Sequence, residues 1–131
     1  MTLEGIYQGY ALNDGQVISF IIGFPVDSTE TLSGSIVSIA LNVRKYIGEQ
    51  QFEPCTIVLE FTQTVEVDIC EDFRTQGSYT DIVLAQIDDG HFYLSLDPYS
   101  NSGQPSDNDN FVIKAKQLSI IDETGMKQII S

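Results

Sequence analysis

Four short runs between residues 56 and 97 carry apolar side chains at every second position, the spacing of a strand with one buried face. In residues 56–62 these are Ile57, Leu59 and Phe61. In 64–70 they are Val65, Val67 and Ile69, with Glu66 and Asp68 turned to the opposite face. Residues 81–87 and 91–97 flank Asp88-Asp89-Gly90, a strong hairpin signal, and the second of them places Phe92, Leu94 and Leu96 on one face. His91, Tyr93, Ser95 and Asp97 then share the other. A chain patterned in this way is bound to pair strands.

The flanking segments extend the pattern. Residues 3–12 and 16–24 read as a hairpin around Asn13-Asp14-Gly15, with Ile18, Phe20, Ile22 and Phe24 on one face of a central strand that Pro25 ends. Residues 25–35 read as a polar loop. The run Ile36–Ile47 fits two periods: Val37, Ile39, Leu41 and Val43 alternate as a strand, while Ile36, Ile39, Ala40, Val43 and Ile47 mark a helical face. Its β-branched residues favour a strand over 36–43. Residues 98–110 form a Pro/Ser/Asn/Asp/Gly loop. A strand over 111–121, a turn at Asp122–Gly125 and a short strand over 126–130 complete the chain. The expected fold is therefore a mostly β single domain over 1–131, an antiparallel sandwich or partly open barrel, with one helix around residues 33–47 as the open alternative. Its expected core is Ile18, Phe20, Ile22, Ile57, Leu59, Phe61, Val65, Val67, Ile69, Phe92, Leu94 and Leu96.

Length and charge narrow the function. With 131 residues the chain suits one domain that buries a single core. Nineteen acids against six bases give a net charge of −13, which disfavours DNA or RNA as a partner because phosphates carry the same sign. No apolar run approaches the roughly 20 residues of a membrane-spanning helix, and the N-terminus lacks the pattern of a secretory signal. A cytoplasmic protein without membrane contact is expected. Cys55 and Cys70, each in or beside an apolar run, are expected as reduced, buried thiols that act as small hydrophobes.

Catalytic and metal motifs are sparse. Zinc lacks a Cys-x-x-Cys, and His91 is the only histidine. A nucleophilic site would have to use that histidine, which reads as a turn-adjacent side chain. No glycine-rich phosphate loop occurs. Paired carboxylates of glycosidase type carry no weight among nineteen acids. Asp107-Asn108-Asp109-Asn110 departs from the calcium-loop pattern, since Phe111 falls at the third ligand position. No enzyme activity, metal or cofactor is expected.

The acidity itself is patterned. Residues 44–73 hold seven acids against Arg44 and Lys45, and residues 74–110 hold six against Arg74. Glu66, Asp68, Glu71 and Asp72 make a row of four carboxylates within seven residues. Such a row repels itself unless solvent or a partner compensates, so it reads either as a surface guarded against edge pairing or as a docking face for a basic protein. Asp107 and Asp109, in the polar loop, are the second contact candidates.

The succession Ile57-Val58-Leu59-Glu60-Phe61, Val65-Glu66-Val67-Asp68-Ile69, Phe92-Tyr93-Leu94-Ser95-Leu96-Asp97-Pro98-Tyr99 and Asp107-Asn108-Asp109-Asn110-Phe111 resembles small bacterial immunity proteins of polymorphic toxin and contact-dependent inhibition systems. The resemblance covers about residues 55–121. It implies a cytosolic, non-catalytic protein that binds and neutralises a cognate toxin domain, often a basic nuclease, for which an acidic inhibitor is suited. It assigns no site residues. The competing expectation is a small-ligand-binding β-barrel with an apolar, aromatic-lined cavity, compatible with the Gly5-Ile6-Tyr7-Gln8-Gly9-Tyr10 opening. A third is an accessory β-domain without activity of its own.

Overall fold

The computed structural model describes residues 1–24, 35–70 and 77–131. Seven strands form one antiparallel sheet, curled into a half-barrel: β1 (Tyr10–Gly23), β2 (Ser35–Gly48), β3 (Gln51–Asp68), β4 (Val83–Gln86), β5 (Phe92–Asp97), β6 (Asn110–Ile121) and β7 (Lys127–Ile129). Their order across the sheet is β1-β2-β3-β6-β5-β4, with β7 also paired to β6. The mostly β, partly open barrel expected from alternation is the observed architecture. No helix among the described residues is long and apolar enough to cross a membrane.

The one helix among the described residues is not where the alternative reading placed it. Residues 35–48 are strand β2, as their β-branched content favours, and α1 spans Leu3–Gly9. Thr2 fixes its start: the Thr2 hydroxyl oxygen accepts from the Gly5 amide at 3.1 Å, and Glu4 sits in the first turn, where a negative charge suits the helix dipole. The expected hairpin over 3–24 is thereby replaced by helix and strand. Asn13-Asp14-Gly15 does take up a positive φ, 57° at Asp14, but spends it on an irregularity inside β1 rather than on a turn. There the pairing steps from Ala11↔Arg44 to Gln16↔Asn42. Across the outer edge of this kink, the Asp14 amide donates to the Thr80 carbonyl and the Tyr79 amide to the Gly15 carbonyl.

β1 is an edge strand, not a central one, and this corrects part of the expected core. Ile18 and Ile22 are exposed, as is Phe24, while Phe20 is half-buried with its ring 5.7 Å from that of Phe111. Beyond the short contact with residues 77–80, β1 has a strand neighbour on one side only, so its apolar residues lack much of the cover that a central strand enjoys. The core of the half-barrel is instead drawn from Val37, Ile39 and Leu41 of β2, Ile57, Leu59 and Phe61 of β3, Phe92, Leu94 and Leu96 of β5, and Ile113 and Leu118 of β6, with Ile6 of α1.

The runs 56–62 and 64–70 belong to one 18-residue strand, β3. Gln63 has φ 53°, and an extra residue on β3 lies between the pairs Thr64↔Ala115 and Glu66↔Lys114. This bulge makes Val65 the surplus residue and leaves it exposed, and Val67 keeps about a third of its surface in solvent. Ile69 is half-buried against the core. Neither valine is the core residue that alternation predicts. Both cysteines are free, but Cys70 is exposed and Cys55 only half-buried, so burial of both thiols is also corrected. Cys70 lies beyond the end of β3, where its amide and carbonyl are held by the Asn110 side chain rather than by a neighbouring strand. The β4–β5 hairpin forms as expected, with Gly90 at φ 85° and its amide donating to the Ile87 carbonyl. The expected loop over 25–35 falls almost wholly outside the described residues.

Candidate interaction groove

The bulge in β3 decides where its acids point. Past Val65, Glu66 stands opposite Lys114 of β6, which stands opposite Tyr93 of β5, on the sheet face away from the main core. Asp68 stands opposite Val112, itself opposite Ser95. This outer face has an apolar cluster of its own, with Val83, Tyr93 and Val112 buried and Ala85 and Ile87 packed against them. Residues 98–109 return across it, so that Pro105, Ser106, Asp107 and Asp109 form one wall of an open groove of about 570 Å³. Glu66, Asp68, Tyr93, Val112 and Lys114 line the rest with Ile87.

Four of the six acids picked out by charge and strand facing, Glu66, Asp68, Asp107 and Asp109, therefore come together in one groove. The other two, Glu71 and Asp72, lie outside the described residues. The four differ in what they do. Glu66 accepts the Lys114 ammonium at 3.0 Å. That ammonium also lies 5.9 Å from the centre of the Tyr93 ring, within reach of a cation–π attraction. Asp109 is spent inside the protein: its Oδ2 accepts from the Tyr93 hydroxyl at 2.6 Å and the Ser106 amide at 2.9 Å, and its Oδ1 from the Tyr99 amide at 2.8 Å. Asp68 and Asp107 have no ion pair and no side-chain hydrogen bond among the described residues.

Electrostatics follow from this division. Burial pushes the Asp109 carboxyl up, but the hydrogen bonds from Tyr93, Tyr99 and Ser106 together outweigh it and hold the group below its ordinary value. The Tyr93 hydroxyl moves the opposite way, raised first by burial and then by its bond to the Asp109 carboxylate. Tyr93 thus stays protonated and Asp109 ionised at neutral pH. With four carboxylates against one ammonium, the groove offers a surplus of negative charge to whatever enters it.

Tyr93 and Lys114 are the groove residues that charge patterning alone passes over. Their signal was present in the alternation, which sets Tyr93 opposite in facing to Phe92 and Leu94, but their role depends on the β5–β6 register. His91, the other polar residue at the start of that strand, holds Asp89 in the hairpin turn, with Nδ1 2.7 Å from Oδ1. Among the described residues no three His, Cys, Asp or Glu side chains are grouped to hold a metal ion. No protein-family model matches this chain, and neither does a curated protein or a solved structure.

Proposed function

We propose that this protein is a non-catalytic interaction module of the immunity type, which binds and neutralises a basic, nuclease-like toxin domain in the cytoplasm through the acidic groove. The observation that carries the reading is the convergence of Glu66, Asp68, Asp107 and Asp109 on one open groove of the sheet's outer face. Asp68 and Asp107 are the acids left for a partner's lysines or arginines. Glu66 can exchange its bond to Lys114 for one to the partner. A filled inner face supports the same reading, because Leu59, Phe61, Leu94 and Ile113 occupy the space that a barrel-bound ligand would need.

A small-ligand reading draws on one observation, the groove's volume of about 570 Å³ with Tyr93 in its wall. The test separates the two. A basic toxin domain encoded beside this protein's gene is expected to associate with it, and co-expression is expected to restore growth. Its association rate should fall steeply as salt rises past about 0.15 M, where the Debye length is ~8 Å. The double variant E66K/D68K should associate more slowly while keeping the wild-type melting temperature. Wild-type rate and salt dependence in that variant would remove this face from the interface. A small molecule that raises the melting temperature, with no basic partner found, would replace the proposal with the ligand reading.

A further inference from the structure

The loop that walls the groove is fastened through very few atoms. Among the described residues, every hydrogen bond joining 98–108 to the remainder of the chain ends on Asp109 or on the Tyr93 hydroxyl. The loop's other bonds stay within it: Ser100 to Ser102, the Gln104 amide to the Ser102 hydroxyl, and the Asn108 amide to the Ser106 hydroxyl. One carboxylate thus gathers the loop's beginning at Tyr99, its far side at Ser106 and the sheet at Tyr93. Beneath lie Tyr93 and Val112, which with Val83 form a buried cluster separate from the main core.

We propose that residues 98–109 form a strap that opens as one unit when the Tyr93–Asp109 contact is broken, uncovering the Val83–Tyr93–Val112 patch while the rest of the sheet stays folded. The main core does not depend on the strap, because its side chains point to the other face. Local units with few ties of this kind open at a lower free energy than the whole domain. The charged and titratable groups facing Asp109 are Asp107 of the strap, Glu66 and Asp68 of β3, Lys114 of β6 and Tyr93 of β5. Lys114 is engaged by Glu66, so hydrogen bonds rather than a cation hold the Asp109 carboxylate. Protonating it replaces an acceptor by a donor and should release the strap. Because the folded Asp109 carboxyl lies below its ordinary value, the latch is whole above the ordinary carboxylate range and is lost as pH falls through the folded pKa.

The inference stands independently of what binds in the groove, and amide hydrogen exchange of the free protein tests it. In Asp109→Asn at neutral pH, the Tyr99 and Ser106 amides should exchange roughly tenfold faster or more, the size expected for losing hydrogen bonds to a charged acceptor. Amides of β2 and β3 should keep their wild-type rates. Tyr93→Phe should accelerate the same loop amides to a smaller degree. Wild-type protein, corrected for intrinsic exchange, should lose this protection only as pH falls below the ordinary carboxylate range, and the Asp109→Asn variant should lose nothing further there. Wild-type exchange at Tyr99 and Ser106 in both variants would overturn the proposal. So would loss of loop protection only together with β3 and β6, or failure of Asp109→Asn to fold, since either outcome makes the strap part of the global unit.

Discussion

The hydroxyl of Tyr7 engages both backbone groups of Leu84, donating to its carbonyl at 2.9 Å and accepting from its amide at 3.1 Å. β4 ends the strand order of the sheet, so these groups belong to an edge that would otherwise offer a template for another strand. Helix α1 thus does two jobs. It buries Ile6 in the core, and its tyrosine occupies the β4 edge. Burial, only partly offset by the bond to Leu84, raises the Tyr7 hydroxyl above its ordinary value, so the plug stays protonated.

Tyr7→Phe removes that hydroxyl and leaves the Leu84 amide and carbonyl without it. A loss of about 1–2 kcal/mol is expected, the range for stranding partly buried backbone groups. Urea denaturation of the two proteins measures it.

Leu59 and Val65 lie on the same strand, and simple alternation assigns both to the core. Leu59 is fully buried and Val65 more than half exposed. Leu59→Ala should cost about 2–5 kcal/mol, as large-to-small core changes do. Val65→Ala should stay within about 0.5 kcal/mol of wild type. Equal costs in thermal or chemical unfolding would contradict the bulge.

Two glycines secure the contact between β1 and residues 77–80. A Cβ on Gly15 would stand 2.5 Å from the Tyr79 hydroxyl oxygen and 2.8 Å from the Asn42 carbonyl oxygen. One on Gly77 would stand 2.7 Å from the Val17 carbonyl oxygen. Gly15→Ala and Gly77→Ala should each cost about 1–3 kcal/mol through overpacking, whereas Gly9→Ala meets nothing within 4 Å and should not. Melting temperatures of the three variants provide the comparison.

The two thiols should separate in a labelling experiment. Cys70 is exposed, while burial, followed by the Glu123 carboxylate, pushes the half-buried Cys55 thiol up. A thiol reagent at neutral pH should modify Cys70 fast and Cys55 slowly, because the thiolate is the reacting form. Peptide mapping of the labelled protein identifies which reacts first.

Much of the sheet was legible because alternation is a local signal. The β4–β5 hairpin follows from its Asp88-Asp89-Gly90 turn residues, and the core face Ile57-Leu59-Phe61 follows from period two. Position within the sheet is not local, which is why β1, apolar on both faces, reads as central yet lies at an edge. A single inserted residue is equally silent in the pattern: nothing in Thr64-Val65-Glu66 announces that Val65 is surplus. The first helix was hidden for another reason, since Asn13-Asp14-Gly15 offers a better hairpin turn than the irregularity that uses it. For the groove, Glu66 and Asp68 were readable from strand facing. Their meeting with Asp107 and Asp109 required the return path of residues 98–109, which no spacing encodes.

The surplus residue at Val65 also bears on how this surface can change over generations. Substitutions at Glu66, Asp68 and Asp107 alter what the outer face displays without disturbing any backbone pairing, so a lineage can rewrite this surface one codon at a time. Straightening the bulge is another matter. Pairing Val65 regularly after Thr64 would set Glu66 opposite Ile113 and Asp68 opposite Phe111, turning both acids toward the core face. The groove's charges are free to drift, while the kink that aims them is not.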